Sequence, residues 1–155
     1  MCLMLYIGTA RELPLEASGD LRVEEVEDRR RGVIQWFSQP AVRFVGAHTG
    51  CSCGFPSVIA AEPIEYYDGM PLDSDDRAAD LRSVHALIGV IRTALEASDR
   101  VELFPIADGS EATAPKGVIE WQTDSIQAEH FFFNEQFMHI VRNGRAAENR
   151  ELTRR

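Results

Sequence analysis

The sequence predicts an α+β fold, a mixed or antiparallel sheet of about six strands with one long helix packed on a face. Three observations carry this. Apolar, β-branched or aromatic runs bounded by glycine, proline or turn clusters recur at 2–8, 41–47, 101–106, 117–122 and 131–142. One long helical period stands among them, with Leu81, Val84, Ile88, Ile91 and Leu95 at three- and four-residue steps. Strands and helices also fail to alternate strictly, which sets the pattern apart from parallel-sheet folds.

Taken in order, residues 2–8 are rich in Leu, Ile and Tyr and end at Gly8, as a first strand would. Leu21, Val23 and Val26 follow the Ser18-Gly19-Asp20 turn and suggest a second, short strand. Asp28 to Phe37 reads as a short helix interrupted by Gly32. Past Pro40, residues 41–47 form a strand with Val42, Phe44 and Gly46 on one face. The long helix spans 75–98, with Ser74 as N-cap and Asp75 and Asp76 at the positive end of its dipole. Gly89 within it points to close packing at that position, and His85 sits at the border of the apolar stripe. A strand at 101–106, a loop at 108–116 and a strand at 117–122 come next, and Asp124 is placed to cap a short turn. Residues 131–142 read as one long strand, and Phe131, Phe132 and Phe133 require cover on both of its faces. Residues 1–143 make one domain, and the polar stretch 144–155 makes a tail.

Composition narrows the function classes. With 45% apolar and 26% charged residues, a 155-residue chain can bury a core without disulfide staples. The net charge of −9, with Lys116 the only lysine, repels phosphate backbones, so nucleic acid is not an expected partner. Arg29, Arg30 and Arg31 follow Glu24, Glu25, Glu27 and Asp28 and form a self-neutralising surface. No apolar run reaches the roughly 18 residues of a membrane span, and the apolar start lacks the basic flank of a signal peptide. Three cysteines cannot pair off completely, which fits reduced thiols in a cytoplasm.

The chemistry concentrates in His48-Thr49-Gly50-Cys51-Ser52-Cys53-Gly54. Imidazole and thiolate are the usual ligands of zinc, and His48, Cys51 and Cys53 lie within six residues of one another. The H-x₂-C-x-C spacing lacks the second half of a zinc knuckle, so a fourth ligand must come from elsewhere. Cys2 qualifies if the first strand runs antiparallel to 41–47 and fails if it runs parallel; His130 and His139 are the other donors. Gly46, Gly50 and Gly54 allow tight backbone, and the amides at Gly50 and Gly54 offer contacts to a small anionic ligand. The same loop supports thiol chemistry, since a charged imidazole lowers a neighbouring thiol pKa.

Cys2 has a further reading. The Met1-Cys2 start resembles that of the N-terminal-nucleophile glutamine amidotransferases, which implies a nucleophilic thiol activated by its own α-amine. Leu3-Met4 departs from the glycine those enzymes place next, and a small residue opening a strand is the preferred reading. Glu62, Glu65, Tyr66, Tyr67 and Asp68 form an acidic connector that either borders the cysteine loop or is simply solvated. No hydrolase or dinucleotide-binding motif is present.

Three functions follow: a binding protein for a metal ion or small ligand at His48–Phe55, a redox or nucleophilic enzyme using Cys51 or Cys53, and a homo-oligomeric interaction module in which the 131–142 strand meets a second copy.

Overall fold

Leu3–Thr9 forms β1, and all seven of its residues are buried. A strand buried on both faces needs a layer on each side, and the computed structural model, which describes residues 2–17, 19–65 and 76–144, supplies both. The described strands are β1, β2 (Glu16–Ala17), β3 (Leu21–Glu24), β4 (Ala41–Ala47), β5 (Ser57–Val58), β6 (Arg100–Ala107), β7 (Val118–Gln122), β8 (Phe133–Asn134) and β9 (Met138–Arg142), with helix α1 at Arg77–Leu95. Seven strands make one sheet in the order β2-β3-β4-β1-β6-β9-β7, and β5 pairs with β8 in a separate two-stranded sheet. The large sheet is antiparallel except for the parallel pair β7–β9, so it is mixed.

The period-two alternation of the central strands sorts their side chains into two cores. Leu5, Ile7, Val45, Leu103 and Val141 face α1, which presents Val84, Leu87, Ile88, Ile91 and Leu95. Met4, Tyr6, Phe44, Phe104 and Ile106 face the other way, where Val33 and Trp36 cover them. Those two residues belong to a helix of the 3₁₀ kind at Asp28–Trp36, where the sequence suggests a short helix. Its docking uses polar groups as well. The Arg30 guanidinium lies 2.8 Å from Asp108 and 3.4 Å from Glu111, and the buried Tyr6 hydroxyl donates to Glu111 at 3.1 Å.

Two details of the helix differ from expectation. Ser74 and Asp75 lie outside the described residues, and Asp76 stands at the N-cap without a side-chain capping bond. Gly89 is exposed, and a Cβ built on it meets nothing within 4 Å, so no close packing explains it.

The stretch 131–142 is not one strand. It breaks between β8 and β9 at Gln136, a non-glycine residue in the left-handed region with φ 70°. The Gln136 N–H donates to Pro105 O and its carbonyl accepts from Lys116 N–H, both at 2.8 Å. The buried His139 fixes the turn from inside. Its Nε2 accepts the Asn134 N–H at 3.1 Å, and its Nδ1 donates to Phe137 O at 3.0 Å. β9 then lies between β6 and β7, whereas β8 pairs with β5 in the two-stranded sheet. No described helix is long and apolar enough to cross a membrane.

Candidate functional site

The site is built where β1 and β4 part. They run antiparallel, and their register ends at the pair Leu5↔Val45. Beyond that point the chain after β4 folds back between the strands. Ala47 N–H donates to Cys51 O at 2.8 Å and Gly50 N–H to Ala47 O at 2.9 Å. Gly50 has φ +87°, a conformation glycine adopts without steric cost. The neighbouring strand is equally constrained: a Cβ on Gly46 would sit 2.5 Å from the Gly50 carbonyl.

The short 3₁₀ turn Ser52–Gly54 replaces the missing strand partner. Ser52 is fully buried, accepts the Leu5 N–H at 2.7 Å and donates to Val45 O at 2.6 Å. Two residues back along β1, the Leu3 N–H donates to Cys53 Sγ at 3.3 Å. Residues i and i+2 of a strand present their amides on the same side, so a Ser-x pair one residue apart meets both. Backbone donors that a longer ladder would have taken up are satisfied by one hydroxyl and one sulfur.

Three thiols converge as a result. The sulfurs of Cys2, Cys51 and Cys53 all lie within 4.8 Å of one another. All three cysteines are free; Cys2 and Cys53 are exposed and Cys51 is half-buried. Cys2 is held from the other side of β1, where its carbonyl accepts the Asp108 N–H at 2.9 Å. Burial works against ionisation of Cys51, yet its thiol pKa is lowered, because bonds from the Thr49 hydroxyl, the Cys53 thiol and the local backbone outweigh that cost. Thr49 Oγ1 stands 3.5 Å from the Cys51 sulfur. Cys53 is pushed up to about 11, chiefly by burial of its sulfur and then by its bond to Cys51, and the Leu3 amide only partly offsets this. The two thiols are thus shifted in opposite directions, Cys51 down and Cys53 up.

His48 is turned toward α1. Its backbone N–H donates to Ser83 Oγ at 3.0 Å, and its Nδ1 lies 3.2 Å from that hydroxyl and 3.5 Å from Asp80 Oδ1. Ser83 and Asp80 are both buried. Burial raises the Asp80 pKa against the pull of His48. Serine and carboxylate share one ring nitrogen, whereas a nucleophilic triad needs them on opposite nitrogens. This cluster docks the loop on the helix. Of the four donors expected from sequence, Cys2, Cys51 and Cys53 are brought together, and His48 is not in their group. His139 has both ring nitrogens engaged in the core and is not available to that group. His130 is exposed and lines a separate cleft of about 700 Å³ with Trp121, Phe131, Ile64 and Glu65. Glu62 is likewise exposed, and Tyr66, Tyr67 and Asp68 lie outside the described residues.

Sequence reasoning missed Ser52, Ser83 and Asp80. The signal for the latter two was present: positions 80 and 83 fall on the same helix stripe as Val84, Leu87 and Ile91, so two polar residues interrupt a buried face. Fold and site together define an α+β protein with a three-thiol cluster at its surface. No protein-family model, curated protein or solved structure matches the chain.

Proposed function

We propose that the protein is a small binding protein that holds a metal ion on the thiolates of Cys2, Cys51 and Cys53. One observation carries the reading: three sulfurs from two distant parts of the chain lie within 4.8 Å of one another. Metal–thiolate bonds of about 2.3 Å place tetrahedral donors about 3.8 Å apart, so small side-chain rotations bring these sulfurs onto one ion. Two of the three cysteines are exposed, which leaves the ion's outward side open to water or a further ligand. Zinc is the reference ion for such a set. Elemental analysis of reduced protein purified without chelator, with thiols counted on the same sample, tests this. About one equivalent of metal with all three cysteines protected from alkylation is expected. Metal-free protein that also takes up none on titration would end the proposal.

The lowered pKa of Cys51 favours a second reading, in which Cys51 is an attacking thiolate and Cys53 holds the proton. It requires Cys51 to alkylate faster than Cys2 and Cys53 near neutral pH. Equal, slow labelling of all three in metal-free protein would remove it.

A further inference from the structure

Resting on the metal reading above, we infer that the ion is soft and monovalent: cuprous copper, bound by Cys2, Cys51 and Cys53 in a trigonal all-sulfur site. The Ser52 hydroxyl, between the two loop cysteines, is taken up by Leu5 N–H and Val45 O. His48 Nδ1 is held at Ser83 and Asp80. The Asp80 carboxylate is buried on the helix beside that imidazole. Oxygen and nitrogen are thus used to hold the loop, and sulfur is what the loop presents outward.

An all-thiolate set is the softest that protein side chains provide; it suits cuprous copper, zinc and iron–sulfur clusters alike, and the count of three sulfurs rather than four is what favours cuprous copper. Structural zinc sites instead complete a tetrahedron of four donors. With bonds of about 2.3 Å, three sulfurs in a plane around one ion stand about 4.0 Å apart, inside the 4.8 Å limit of the cluster. Binding exchanges three S–H protons for one cation, releasing the protons to solvent and leaving a doubly negative centre. One donor already aimed at a sulfur offsets part of that charge, the Leu3 N–H at Cys53. The Thr49 hydroxyl donates to the Cys51 carbonyl at 3.1 Å and stands 3.5 Å from the Cys51 sulfur. No electron is transferred, since the ion enters already reduced.

The test is an anaerobic titration of the full reduced chain with cuprous ion held by a chromogenic chelator. Zinc is titrated in parallel, and X-ray absorption on the copper-loaded sample counts the sulfurs. One equivalent with three sulfurs is the expected result. Outer partners of metal ligands typically contribute ~10–100-fold in affinity, so Cys2→Ser, Cys51→Ser and Cys53→Ser should each weaken binding by about 100-fold or more. Cys2 is exposed, so its substitution leaves both cores intact, and circular dichroism verifies the fold of the other two. A two-sulfur centre that ignores Cys2→Ser would overturn the trigonal site. Zinc held as tightly as copper would overturn the ion assignment and leave the thiolate reading standing. Failure of both metals to bind would remove the two together.

Discussion

Replacing Ser52 with alanine removes one oxygen and unties two strands. The hydroxyl bridges Leu5 N–H and Val45 C=O at the point where β1 and β4 separate. Ser52, Leu5 and Val45 are all fully buried, so the orphaned groups do not simply turn to solvent. Each buried polar group left without its partner costs about 1–3 kcal/mol, and two of them give about 2–4 kcal/mol after partial relaxation. That is a large fraction of the ~5–15 kcal/mol that holds a domain of this size. Urea unfolding monitored by tryptophan fluorescence measures it as a lower midpoint with an unchanged slope. Ser57→Ala is the matched control: Ser57 is half-buried and donates to Glu135 at 2.8 Å, so it should lose less than about 1 kcal/mol. Because Ser52 lies between Cys51 and Cys53, its loss should also weaken metal binding by about 10–100-fold. A Ser52→Ala protein within ~0.5 kcal/mol of the parent would refute the bridging role, and with it the account of what positions the two sulfurs.

His139 makes stability fall on mild acidification. Burial among aromatic rings holds its pKa down at about 3, with its bonds to the Phe137 and Leu103 backbone only partly offsetting this. The unfolded chain takes the proton near pH 6.5, so stability is complete above that value and is lost as pH falls toward 3. Between pH 7 and pH 5 this amounts to about 2 kcal/mol, measured as the shift in urea midpoint; a flat profile, or an unchanged one in His139→Gln, would contradict it. Gly89→Ala should stabilise by about 0.5–1 kcal/mol, since the helix there is exposed and a Cβ meets nothing within 4 Å. A loss of thermal stability in that variant would mean that α1 is covered by something on that face.

The α+β class and most element positions were legible because they depend on local patterning. The stripe from Val84 to Leu95, the alternation at 41–47 and the apolar start each declare their own period. The break at 134–137 was not legible, because no glycine or proline marks it. It depends on His139 reaching back to Asn134 from within the core, a tertiary bond that overrides the continuous β-prone run. The cysteine loop stood out by composition, and antiparallel pairing of the first strand with 41–47 was the stated condition for Cys2 to join it. The direction His48 takes could not be read in the same way. It is set by Asp80 and Ser83, more than thirty positions away, and their meaning appears only once the helix is laid across the sheet.

That anchoring decides what metal removal should do. In small zinc domains the ion supplies the folding energy, and the apo chain is unfolded. Here the loop is fastened on two sides without any ion: His48 to Ser83 on the helix, and Ser52 to Leu5 and Val45 in the sheet. Cys2 is tethered separately through its carbonyl to Asp108. The sulfurs are therefore gathered by the fold, so the proposed ion would meet its ligands already in place. Chelation should leave the far-ultraviolet circular dichroism unchanged and lower the thermal midpoint only by the linkage term, which is about 2.7 kcal/mol at a hundredfold excess of free ion over its dissociation constant. Unfolding on chelation would show that the ion assembles the loop, and that the hydrogen bonds of His48 and Ser52 follow from its binding.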